Sequence, residues 1–147
     1  MRKLIIVVVA LLAMFAAAGQ EKPNLGVGTQ FTLPVVFGIS ARYWTTPTFG
    51  VEGDLFLLTT DGETWGMVGI RALGRLASAE LAGFYVAGGG SLYFPDRDTA
   101  LSLCGGIELF LPFAPSLAVN IEFGFVWHRD AGFGMAFGSG IHFYFGR

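Results

Sequence analysis

The sequence predicts an all-β fold, an eight-stranded antiparallel up-and-down transmembrane β-barrel preceded by a cleaved signal peptide. Three observations carry this expectation. Bulky apolar residues alternate with small or polar ones over most of the chain, clearest in Phe133–Phe145, where Met135, Phe137, Ile141, Phe143 and Phe145 share one parity and Gly134, Ala136, Gly138, Gly140, His142 and Tyr144 the other. A period of two belongs to a strand and not to a helix. Alternating segments of roughly ten residues recur between turn residues, as in an all-β barrel. Finally, the charges fall on the parity of the small side chains, so the large apolar set faces hydrocarbon and the polar set a lumen.

The leader is read first. The chain has 147 residues, 53% of them hydrophobic, with a mean hydropathy of +0.60. The one uninterrupted apolar run lies at the N-terminus. Arg2 and Lys3 precede Leu4–Phe15, and Ala16-Ala17-Ala18-Gly19 supplies small residues for cleavage. That is the pattern of a secretory signal peptide, too short for a spanning helix. Residues 1–19 are expected to be removed, leaving 20–147 as a single barrel domain. The net charge of −2, with Lys22 the only lysine after the leader, excludes the basic clusters that nucleic acid or anionic lipid would need. Cys104 is the single cysteine, so no disulfide forms within the chain.

Eight strands are expected, over Leu25–Thr32, Val35–Trp44, Phe49–Thr59, Thr64–Arg75, Glu80–Tyr93, Thr99–Leu111, Ser116–Trp127 and Phe133–Phe145. Eight is the smallest even count that closes such a barrel in a single chain. Links at one end, Thr45–Thr48, Leu76–Ala79 and Pro112–Pro115, carry no charge. After the Leu33-Pro34 turn, those at the other end do: Thr60-Asp61-Gly62-Glu63, Pro95-Asp96-Arg97-Asp98 and His128–Gly132. The charged end is expected to face the exterior, with both termini in the periplasm. Aromatic residues collect near strand ends. Tyr43, Trp44, Phe49, Phe110, Phe113, Phe143, Tyr144 and Phe145 are expected as a lower girdle, and Trp65, Tyr93, Phe94, Trp127 and Phe133 as an upper one.

With these features the mature chain resembles the small eight-stranded outer-membrane barrels of the OmpA-like and OmpX-like kind. The resemblance is one of pattern over the whole mature chain. Its most specific element is a C-terminal assembly signal, matched by Gly140, Phe143 and Phe145. Gly138 occupies the position that is polar in that signal, and Gly146-Arg147 follow the aromatic that normally ends it. The resemblance implies a bacterial outer-membrane location and two partners, outer-membrane lipid and the assembly machinery. The protein is expected to be a monomer without a cofactor and without a peptidoglycan-binding domain after the barrel.

Alternation assigns the lumen. Ser40, Arg42, Glu52, Asp54, Arg71, Arg75, Glu108, Asn120, Glu122 and His142 point inward in its lower half, with Glu80 joining them at the foot of strand five. Opposite charges in low dielectric must pair, and guanidinium can fork across two carboxylates. A narrow eight-stranded barrel is filled by such side chains, so a plug is expected rather than a pore. The upper wall, with Val36, Gly38, Phe56, Leu58, Trp65, Met67, Ser102, Cys104, Gly134 and Ala136, reads as mostly apolar. It is either packed shut or open to a hydrophobic small molecule.

Chemistry is harder to find. His142 is the only histidine in a strand; Ser139 lies on the opposite face and Ser40 nearer mid-barrel, so no nucleophile is clearly placed. His128 and Asp130 are too few for a metal site, and Gly88-Gly89-Gly90 reads as a bulge or bend. A structural or envelope-stabilising barrel without catalysis is therefore expected. A hydrophobic-ligand carrier is the second reading, and a lipid-modifying enzyme based on His142 the third. A soluble lipocalin-like barrel is the rival fold, and it requires the parities to be reversed.

Overall fold

In the computed structural model, residues 24–33, 36–60 and 63–145 are described; the leader, the Pro34 turn, Asp61-Gly62 and Gly146-Arg147 lie outside them. Eight strands follow one another: β1 (Asn24–Leu33), β2 (Val36–Trp44), β3 (Phe49–Thr60), β4 (Glu63–Ser78), β5 (Ala82–Phe94), β6 (Thr99–Leu111), β7 (Ala114–His128) and β8 (Gly132–Phe145). Each pairs antiparallel with the next, and β1 closes on β8 from Leu25↔Phe145 to Leu33↔Phe137. Closure leaves no open edge, so the ladder can satisfy its backbone groups without water.

The faces of the barrel are those that the parity predicts. Along β7, Ile121, Phe123, Phe125 and Trp127 are 44–54% exposed while Asn120 and Glu122 are at most 1% exposed. Phe137 and Leu103 likewise stand outside, and Arg71 inside. A lipocalin-like arrangement needs the reverse and is excluded. An outer wall this apolar, around a polar interior, is what a barrel surrounded by lipid requires.

The strand-five glycines are not a bulge. β5 keeps regular register through Gly88↔Ala72, Gly89↔Arg71 and Gly90↔Ile70, and the irregularity lies between Arg75 and Ala77 on β4. Large inward rings instead stand opposite glycines: Tyr85 pairs with Gly106 and Tyr144 with Gly26. A Cβ on either glycine would run into the facing ring. The missing side chains make room for rings inside a tube that is otherwise too narrow for them.

Candidate functional site

The lumen is the candidate site, and alternation builds it. β2 contributes Ser40 and Arg42, β3 Glu52 and Asp54, β4 Arg71 and Arg75, β6 Glu108, β7 Asn120 and Glu122, and β8 His142. Arg42 is at the centre and fully buried. Its Nε donates to Glu52 Oε2 (2.7 Å), its Nη1 to Glu108 Oε1 (2.9 Å), and its Nη2 lies 3.4 Å from Glu122 Oε1. Arg71 makes the second fork, from Nη2 to Glu52 Oε1 (2.7 Å) and from Nη1 to Glu122 Oε2 (2.6 Å). Two guanidiniums thus share Glu52 and Glu122 across the barrel, the bidentate geometry that arginine favours.

Rings complete the layer. Tyr85 donates to Glu122 Oε1 (2.7 Å) and lies under the Arg42 guanidinium at 4.8 Å, while Tyr144 donates to Glu108 Oε1 (2.6 Å). Trp44 Nε1 donates to Tyr144 Oη (3.4 Å), and the Arg75 guanidinium stacks on the Trp44 ring at 3.8 Å. Trp44, Phe110 and Tyr144 were expected in the lower girdle but are buried in the lumen with Tyr85, Leu73 and Ala118. They share the parity of Arg42, Glu108 and His142, which places them inside. Tyr43 is buried as well.

Glu80 is corrected. β4 runs on to Ser78 and β5 begins only at Ala82, so Glu80 sits exposed in the link, where strand alternation does not apply. Sequence reasoning missed Gln30 and Tyr85. Gln30 is buried and accepts from Asn120 Nδ2 (3.2 Å), which also lies 3.2 Å from Tyr85 Oη. Continuing the inward parity of β1 from Gly28 would have found Gln30.

Exposure is layered along the axis. The side chains of Arg42, Glu52, Glu108 and Glu122 are at most 1% exposed, whereas Asp54 above them is 12% and Arg75 below them 20% exposed. A dry ionic layer therefore crosses the tube, and the lumen is plugged. Above it lies a cavity of about 60 Å³, room for a few water molecules. Met67, Cys104, Val126 and Ala136 line it, but so do Gln30, Thr32, Asp54, Ser91 and Ser102. The exposed lining is mostly apolar, as expected, although it includes polar side chains that were not among the residues expected there. Leu58 and Trp65, expected inside it, are 51% and 43% exposed.

His142 Nε2 lies 3.1 Å from Ser40 Oγ, which donates to Glu52 Oε1 at 3.1 Å. Ser40 has one proton and spends it on Glu52, so Nε2 faces an acceptor and carries its own proton. Both residues are fully buried. His142 Nδ1 has no hydrogen-bond partner among the described residues, and Ser40 is already committed to Glu52, so the pair is not a base poised on a nucleophile. At the charged rim His128 Nδ1 lies 3.6 Å from Asp98 Oδ2, while Asp130 pairs with Arg129. Among the described residues no group of three or more His, Cys, Asp and Glu is placed to hold a metal ion.

Gly140 belongs to the lumen too. A Cβ there would strike Gln30 Oε1, Asn120 Oδ1 and the Thr29 carbonyl. Phe143 and Phe145 stand on the outer wall, their rings edge to face at 5.3 Å.

No protein-family model matches the sequence, and no curated protein is significantly similar to it. Solved structures do share its shape. The N-terminal β-barrel domain of Pseudomonas aeruginosa OprF superposes with a TM-score of 0.63 at 12% identity, covering 86% of this chain and 99% of that one. A de novo designed transmembrane β-barrel gives 0.59 at 12% identity, over 86% and 98%. The Yersinia pestis attachment invasion locus protein Ail gives 0.43 at 12% identity, over 84% and 97%. The fold and the lipid-facing wall define an eight-stranded transmembrane β-barrel. Among natural proteins it shares this fold with the OprF N-terminal barrel domain.

Proposed function

We propose that this protein is a non-catalytic, monomeric scaffold of a bacterial outer membrane, stabilising the envelope and passing no solute through its lumen. The observation that carries this reading is the dry layer of Arg42, Glu52, Glu108 and Glu122, which closes the tube with side chains that compensate one another. In the same reading residues 1–19 are a signal peptide, residues 20–147 form the barrel domain, and both termini face the periplasm. Gly140, Phe143 and Phe145 act as the assembly signal, with the two rings presented on the outer wall. The cavity of about 60 Å³, with polar groups in its wall, argues against the hydrophobic-ligand reading. Planar-bilayer recording is the test. The native barrel is expected to show no open steps at neutral pH, whereas Arg42→Ala should admit ions; frequent large openings in the native protein would overturn the plug.

A further inference from the structure

The two rims differ in more than charge. At the rim that carries Asn24 and Phe145, the links are 45–48, 79–81 and 112–113, and Glu80 is their single ionisable side chain. The opposite rim carries Glu63, Asp96, Arg97, Asp98, Arg129 and Asp130. The rings differ as well. Trp127 is exposed on the outer wall near the charged rim and Trp65 at its mouth on the inward parity of Met67, whereas at the other rim Trp44 and Tyr144 are turned inside and Tyr43 is buried. Its outer surface carries large apolar side chains of high exposure, Phe49 at 47%, Leu76 at 70%, Leu81 at 41%, Phe113 at 84%, Phe143 at 48% and Phe145 at 50%, beside the exposed Thr46, Thr48, Ser78 and Glu80. Tryptophan and tyrosine mark a membrane–water boundary because one end of the ring is polar. Phenylalanine and leucine have no such end and gain from going deeper.

Backbone polarity permits this without singling out the rim, since at the charged end too Tyr93 N donates to Asp98 O (2.8 Å) and Arg129 N to Thr99 O (2.9 Å). A chain segment leaves water only if its amides and carbonyls find partners within the protein. In the first link Thr46 N donates to Phe49 O (3.0 Å), Phe49 N to Thr46 Oγ1 (2.9 Å) and Thr45 Oγ1 to Phe49 O (3.0 Å), while Arg75 N donates to Thr48 O (2.8 Å). In the second, Ala79 N donates to Ala82 O (2.7 Å), and Leu81 O accepts from Phe110 N (2.8 Å).

We infer that the weakly charged rim is immersed in its leaflet, its links lying among acyl chains and glycerol groups rather than in water, with Glu80 reaching the headgroup layer. The occupant of this surface is lipid, continuous with the lipid around the wall. The inference rests on the membrane-spanning reading and adds a depth to it.

Spin labels measure that depth. Pro112→Cys, Asp96→Cys and Leu103→Cys, each in a Cys104→Ala background and each keeping Phe113, would be labelled in phosphatidylcholine vesicles. Collision with oxygen is then compared with collision with a water-soluble nickel chelate. The oxygen-to-nickel ratio at 112 is expected to be several-fold above that at 96 and to approach that at 103. A ratio at 112 equal to that at 96, with 103 still oxygen-rich, would overturn the immersion alone. Equal ratios at all three sites would remove the membrane placement itself. Exclusion of both reagents at 112 would mean protein covers the rim, which also refutes lipid as the occupant. If Pro112→Cys does not fold, nuclear relaxation of Leu76 and Leu81 methyls in the native protein gives the same answer. Doxyl lipid should relax them more than a soluble gadolinium chelate does, and the opposite order would overturn the inference.

Discussion

Replacing Arg42 by methionine probes the plug directly, because the volume is nearly kept and only the charge and its donors are lost. Arg42 serves Glu52, Glu108 and Glu122, but unequally. Glu52 and Glu122 keep the Arg71 fork at 2.7 and 2.6 Å. Glu108 keeps only the Tyr144 hydroxyl at 2.6 Å and Arg75 at 3.8 Å, so the uncompensated charge falls chiefly on it. Removing one partner from a buried pair costs about 3–5 kcal/mol. Urea unfolding of the barrel in lipid vesicles, followed by the gel mobility of the folded form, should register a loss of that size. Because the site is dry, the loss should hardly change with added salt, unlike that of a surface pair. A second substitution, Glu108→Leu, should recover part of it by removing the stranded carboxylate. A loss below about 1 kcal/mol, typical of an exposed pair, would refute the reasoning. So would a Glu108→Leu change that only adds a further loss.

Further expectations follow from the same geometry. Tyr85→Phe removes a hydroxyl bonded to Glu122 at 2.7 Å while the Arg71 fork stays, and should cost about 1.5–3 kcal/mol in the same assay, the range for a hydrogen bond to a charged group. Gly106→Ala would push a methyl into the Tyr85 ring, whereas a Cβ at neighbouring Gly105 meets nothing within 4 Å. The first should lose about 1–3 kcal/mol by overpacking and the second should stay within about 0.5 kcal/mol of the native protein. Leu103, 63% exposed near the middle of β6, faces lipid, so Leu103→Arg should lose about 2–4 kcal/mol; a silent change there would contradict the lipid-facing wall.

Much of this architecture was legible because a membrane barrel writes its two environments into alternate residues. Ile121 and Glu122 differ in parity, and that alone decided which meets lipid and which meets Arg42 and Arg71. Glu80 escapes this reading for the complementary reason: it lies in the link between β4 and β5, and a residue outside the ladder has no parity to read. Trp44 and Tyr144 show a different failure. Their position near strand ends suggested a girdle, although their parity with Arg42 and His142 placed them inside, and parity prevailed. The Tyr85 assignment needed more than parity. A ring of that size fits the tube only if the facing residue lacks a side chain, and Gly106 becomes its neighbour only through the β5–β6 register, which no single strand encodes.

The glycines therefore connect the ionic layer to the fold. Gly106 admits Tyr85, whose hydroxyl holds Glu122. Gly26 admits Tyr144, whose hydroxyl holds Glu108, while Gly140 leaves space for the Gln30–Asn120 pair that adjoins Tyr85. Each carboxylate of the layer other than Glu52 thus depends on a ring as well as on a guanidinium, and each ring depends on an absent side chain across the sheet. A chain with the same charges but alanine at positions 26 and 106 would retain every ion-pairing group. It would lose the space in which they can meet, which is why the lumen's specificity lies as much in its smallest residues as in its charged ones.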